Sequence, residues 1–136
     1  MQCSAYVNFD SNCTEAFEFY QSLGIGKIEM IMTNDQGPAD MPFLPGREKN
    51  VLHASMKIGD TLLMASDMQP GAYVKPQGIS LHIGAASIEE SERLFAALSE
   101  NGQVHMPLTE TFWALRFGAC TDRFGIPWLV DVGKPM

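Results

Sequence analysis

Positive charge is scarce in this chain. Nine lysines and arginines face sixteen aspartates and glutamates over 136 residues, for a formal net charge of −7. Such a surface suits neither nucleic acid, whose binding relies on neutralising phosphates, nor an anionic membrane face. No nucleic-acid or membrane partner is expected. Long apolar runs are missing as well, and none approaches the roughly 18 residues that a membrane-spanning helix needs. The opening MQCSAYVNF has neither the basic stretch nor the apolar run of a secretory leader. Cysteine is sparse: Cys3, Cys13 and Cys120 are odd in number, far apart and without a CxxC pair. Reduced thiols in a cytoplasmic protein are the reading that follows. Also absent is a glycine-rich strand–turn–helix that would cradle a nucleotide-like group, so methyl transfer from such a cofactor is not supported and no cofactor is expected.

What is present is an ordinary globular composition, 46% hydrophobic and 18% charged, on a length that suits one domain. The chain also repeats itself. In NCTEAFEFYQSLG, Asn12 and Glu15 have the spacing of a capping box, in which each side chain satisfies an orphan backbone N–H. Ala16, Phe19, Tyr20 and Leu23 then follow at helical spacing, and Gly24 ends the segment. In SIEESERLFAALSENG, Ser87 and Glu90 repeat the box, Ser91, Leu94, Phe95 and Leu98 repeat the stripe, and Gly102 closes it. The offset is 75 for both the caps and the stripe (87−12, 90−15, 94−19).

Each predicted helix is flanked alike. A short strand precedes it, over 4–9 and 79–85, and three extended segments follow, over 27–33, 50–58 and 61–67, then 103–109, 111–120 and 126–132. The Pro- and Gly-punctuated stretch MQPGAYVKPQG, 68–78, reads as a linker. A long loop, 34–50, lies inside the first half, and loops of that length are usually lids or disordered. The order is βαβββ twice: an α+β domain over 1–136, with module one at 1–67 and module two at 79–136. One helix covers one face of each sheet. The other faces are expected to curl into a cup able to hold a ligand.

That order, together with AFEFYQSLG, VLHASMKIGD, LLMASD, ISLHIG and above all MPLTETFWALRFGACTDRFGIPWLVDV, resembles the vicinal oxygen chelate superfamily, which includes glyoxalase I, extradiol dioxygenases and fosfomycin-resistance proteins. Within it the chain is similar to the PhnB-like branch, over nearly its whole length. The resemblance implies a glyoxalase-like fold and pairing of two chains into a homodimer. It also implies a divalent metal held by the first and last strand of each module. Here those positions carry Ser4, Ser80, Leu129 and, in the first module's last strand, Met64, Ala65, Ser66 or Asp67. Leucine cannot bind such a cation, and neutral hydroxyls bind it weakly. The inherited metal site is therefore expected to be lost, and no metal ligand is assigned.

Strand alternation assigns the candidate site. Val7, Phe9, Leu81 and Ile83 should meet the helices, leaving Ser4, Tyr6, Asn8, Ser80 and His82 toward the cup. Leu52, Ala54, Met56 and Ile58 should form one face of their strand and Val51, His53 and Ser55 the other. Trp113, Leu115 and Phe117 read as packing, Trp128 as core, and His105 as a surface or interface residue. Arg116 stands between apolar residues. It would either grip the anionic group of a ligand or pair with Glu110, Asp131 or another carboxylate. The candidate ligand-binding residues are thus Tyr6, Asn8, His53, Ser80, His82 and Arg116, with no catalytic residue assigned. Three readings remain open: a metal-free protein binding a small anionic organic ligand; a divalent-metal lyase, isomerase or dioxygenase using displaced ligands such as His53 and His82; and a dimeric interaction module with a filled cup. Whether the chain is an enzyme stays undecided.

Overall fold

The computed structural model of the chain describes residues 1–135. The predicted repeat is present as two compact units, Met1–Val74 and a second beginning at Lys75, so the boundary falls inside the 68–78 stretch.

In the first unit, strand β1 (Ala5–Phe9) leads to helix α1 (Cys13–Ser22), then β2 (Lys27–Thr33), β3 (Val51–Ile58) and β4 (Thr61–Asp67). The sheet runs β1-β4-β3-β2, with β1 parallel to β4 and the other pairs antiparallel. In the second, β5 (Leu81–Gly84) leads to α2 (Ile88–Ser99), then β6 (Gln103–Thr109), β7 (Ala114–Thr121) and β8 (Pro127–Gly133), ordered β5-β8-β7-β6. Neither sheet closes on itself. The α+β class and the doubled βαβββ order stand as read from the sequence. Two strand starts move by more than one residue: β5 begins at Leu81, so Ser80 precedes it, and β7 begins at Ala114, after a turn over residues 111–114 in which the Thr111 Oγ1 accepts from the Ala114 N–H at 3.0 Å.

Each core lies between the helix and its own sheet. In the second unit the predicted stripe is the buried one: Ser91, Leu94, Phe95 and Leu98. The Ser87 Oγ accepts from the Glu90 N–H at 3.1 Å, while Glu90 reaches back to the N–H of Ala86 rather than that of Ser87. In α1 the expectation needs correcting. Cys13, Ala16, Phe17 and Tyr20 are buried, whereas Phe19 and Leu23 are only half-buried. Asn12 makes no side-chain capping bond. Asp67, at the end of β4, caps instead: its carboxylate accepts from the Cys13 N–H at 3.0 Å and from the Val51 N–H at 2.8 Å. A carboxylate from a neighbouring strand outcompetes the local amide because a charged acceptor makes the stronger bond at the positive end of the helix. Val51 itself is buried, against the open-face position expected for it, where the β2–β3 register shifts between Met32 and Thr33.

The 34–50 loop is tied at its ends. A short turn of helix covers Asn34–Gln36, and the N–H groups of Asn34 and Asp35 donate to the carbonyls of Asn50 and Glu48 at 2.9 and 3.0 Å. Lys49 pairs with Asp35 at 2.7 Å.

In the second unit one buried carboxylate organises the turn before β8. Asp122 is 3% exposed. Its Oδ1 accepts from the N–H groups of Phe124 and Ile126 at 2.8 and 3.0 Å, and its Oδ2 from the Trp128 Nε1–H at 2.8 Å. Gly125, at φ 91°, supplies the left-handed step that brings these N–H groups round to the carboxylate. Asp122→Ala strands three buried donors. The loss of unfolding free energy by urea titration is expected to reach about 3–5 kcal/mol. A loss below about 1 kcal/mol would show that water replaces the carboxylate.

Candidate functional site

With α1 and α2 covering one face of each sheet, the opposite faces carry the chemistry. On the first sheet, parallel register places Tyr6 beside Met64 and Asn8 beside Ser66, and antiparallel register places Ser55 beside Met64. Tyr6 reaches across β4, and its hydroxyl lies 3.2 Å from the His53 Nδ1, the two rings 5.7 Å apart. The Ser66 hydroxyl donates to the Asn8 Oδ1 at 3.4 Å. Tyr6, Asn8 and His53 therefore do share one face, as their alternation predicts. Ser4 precedes β1 and lines a shallow hollow with Leu62 and Met64.

On the second sheet the open face is a grid. His82 stands beside Leu129, Ala119 beside Leu129, Phe117 beside Asp131, and Thr121 beside Pro127. The His82 Nε2–H donates to Asp131 Oδ1 at 2.8 Å. That bond fixes the imidazole tautomer and leaves Nδ1 as the free nitrogen. At the end where β8 begins, a pocket of about 570 Å³ opens over the face. Its walls include Ser80, Leu129, Pro127, Thr121, His105 and Lys75. Ser80 and Leu129, the two second-module positions where the resemblance implies metal ligands, thus line one cavity. His82 adjoins it through its register with Leu129.

Two residues move from their expected places. His105 reads as peripheral in the sequence, yet it lines the pocket and its Nε2 lies 2.7 Å from the Thr121 Oγ1. Alternation along β6 is enough to put it there: Gln103 pairs with Thr121 on the open face, and His105 follows two residues on. Arg116 is the opposite case. It pairs in register with Val132, on the side that carries buried Val130 and Val132, and its Nε lies 3.8 Å from Glu92 of α2. Its partner is neither Glu110 nor Asp131: Glu110 pairs with Lys134, and Asp131 with His82. Arg116 therefore lies across the sheet from His82 and the pocket.

The reason is packing. Gly118 is where α2 presses closest, and a Cβ there would stand 2.8 Å from the Phe95 ring and 3.0 Å from the backbone of Leu108. Gly118, paired with buried Val130, thus takes the helix side. The bulky Trp113 and Phe117, expected to be packing, go elsewhere: Trp113 is 49% exposed, with its ring 5.4 Å from that of Phe117.

Cys3 is exposed beside Ser4 in the hollow of the first sheet, whereas the other two thiols are buried. Burial, with the Asp67 charge added, pushes the Cys13 thiol far above its ordinary range, and burial pushes Cys120 up as well. Among the described residues, no three of His, Cys, Asp and Glu cluster in a way that could hold a metal ion.

A doubled βαβββ chain of two open four-stranded mixed sheets, each with one helix and one bare face, defines a protein of the vicinal oxygen chelate class, the glyoxalase/bleomycin resistance/dioxygenase superfamily. Within that class the chain belongs to the PhnB-like family described as 3-demethylubiquinone-9 3-methyltransferase, whose family model matches residues 2–131. It is similar to Protein YjdN of Escherichia coli K12, with 32% identity covering 98% of this chain and 97% of that one. Among solved structures it is similar to protein PA1353 of Pseudomonas aeruginosa, at 39% identity, 99% coverage of both chains and a TM-score of 0.84. A putative 3-demethylubiquinone-9 3-methyltransferase, PhnB protein, of Bacillus cereus shares the fold at 24% identity and a TM-score of 0.82, over 98% of this chain and all of that one.

The Arg116–Glu92 pair is long and open to water, with side chains 31% and 57% exposed. Such pairs contribute little. Arg116→Met should change unfolding free energy by less than about 1 kcal/mol, measured by urea titration. A loss of about 3 kcal/mol or more, the signature of a stranded buried charge, would contradict this placement.

Proposed function

We propose that this protein binds a small organic ligand, anionic in character, on the open face of its second sheet, without a metal ion. The observation that carries the reading is the pocket of about 570 Å³ lined by Ser80 and Leu129. Superfamily enzymes place metal ligands at these positions. Here one is a neutral hydroxyl and the other an alkyl group, so the pocket offers shape and polarity in place of a Lewis acid. The anionic preference cannot come from Arg116, which lies on the helix side, and must come from the pocket's own wall.

The competing metal-dependent reading relies on His53 and His82. Each already has a local partner, Tyr6 and Asp131, and the two belong to different compact units. The methyltransferase description of the family finds no support in a glycine-rich cofactor loop. The expected result is well under one equivalent of Zn, Ni, Mn or Fe per chain in untagged protein by elemental analysis, together with thermal stabilisation by some small organic acids that Ser80→Trp removes by filling the pocket. About one bound metal per chain, or stabilisation unaffected by Ser80→Trp, would defeat this reading.

The same reading includes a homodimer. Strands β2 and β6 are sheet edges, and β6 exposes Val104 and Met106 at 46% and 43%. Phe112 and Trp113 add exposed aromatic surface at 88% and 49%. Unprotected apolar edges invite pairing, and a second copy is the partner that closed symmetry favours. Sedimentation at micromolar concentration should give twice the 15.0 kDa chain mass. A lone monomer would sink the dimer.

A further inference from the structure

We propose that the pocket on the second sheet selects a monoanionic carboxylic acid with a ring-sized apolar body, held by Lys75 and His105. This rests on the reading of that pocket as the ligand site. The lining is unusual for this protein. The chain carries sixteen carboxylates against nine lysines and arginines, yet no carboxylate appears among the pocket's described lining residues. Lys75 is the one full charge on the wall, and Gln77, Ser80, Gln103, Thr121 and His105 are its polar neighbours.

A protein of net charge −7 repels anions at long range, so selection must act at contact distance, where a single ammonium can form a charge-assisted hydrogen bond. His105 adds a second donor. An anion selects the tautomer in which the Thr121 hydroxyl donates to Nε2, across the observed 2.7 Å, because that leaves the ring proton on Nδ1 for the ligand. One ammonium and one neutral imidazole balance one negative charge. A dianion such as a phosphonate would leave a charge uncompensated in an acidic protein, and there is no arginine fork on this wall to grip it. Pro76, Pro127 and Leu129 supply the apolar surface for the body of the acid.

A matched set of probes isolates the charge: benzoate, phenylphosphonate, benzamide and benzylammonium share a ring and differ in the head group. Affinities are measured on the full chain by ligand-observed NMR. Benzoate should bind about tenfold more tightly than benzamide, the gain of one charge-assisted hydrogen bond, and more tightly than phenylphosphonate. Lys75→Met should erase that preference without changing benzamide affinity, Lys75→Arg should keep it, and Ser80→Trp should abolish binding of all probes. Equal or tighter binding of benzamide, phenylphosphonate or benzylammonium, lost in Ser80→Trp, would overturn the carboxylate assignment while leaving the pocket as the ligand site. An unchanged benzoate preference in Lys75→Met would overturn the role of Lys75. Absence of binding by any probe, or binding indifferent to Ser80→Trp, would overturn both this inference and the site on which it rests.

Discussion

A four-stranded sheet with a single helix has one face that must be buried and one that must not. That constraint governs both halves of this chain. The helix side takes the small and apolar residues: Ala54, Met56, Leu63 and Ala65 in the first unit, and Gly118, Cys120, Val130 and Val132 in the second. What remains is displaced to the bare side, and it is there that hydroxyls, imidazoles and aromatic rings collect. Gly118 shows how tight the sorting is. Phe95 fills the space where its side chain would be, so α2 can settle close to β7 only while that position has none.

Two carboxylates make the sorting geometrically possible. Asp67 ties the start of α1 to the start of β3, and Asp122 ties the turn before β8 to the indole of Trp128. In a protein already rich in negative charge, burying another is costly unless donors surround it. Asp122, which is buried, meets that requirement with two backbone N–H groups of its own turn and an indole N–H, and the half-buried Asp67 with the N–H groups at the starts of α1 and β3. The two are not copies of each other: one caps a helix from outside, and the other folds its own loop. The internal repeat thus preserves the order of elements while solving its corners differently.

The bare face of the second sheet carries Leu129, and beside it Ser80, the positions where the resemblance implies a metal. Here the wall is built from a serine, a leucine, a lysine and a histidine held by a threonine. On the proposed reading, recognition has passed from a cation to hydrogen bonds and one ammonium. The neighbouring Asp131–His82 pair gives the face an oriented imidazole as well.

The sequence by itself determined the doubled element order, most strand limits, the α2 stripe and the face of Tyr6, Asn8, His53 and His82, because side-chain alternation and helical spacing are local and periodic. Tertiary structure alone decided the rest. Asn12 has the right spacing to cap α1, but Asp67, 54 residues beyond Cys13, arrives with a stronger acceptor. Arg116 reads equally well as a ligand anchor or as half of an ion pair. The pressure of α2 on Gly118, two residues on, sends it to the helix side. His105 reads as peripheral until the pairing of β6 with β7 brings it to Thr121. In each case the outcome depends on which distant group comes within about 3 Å, the range of a hydrogen bond, and periodicity carries no record of such encounters.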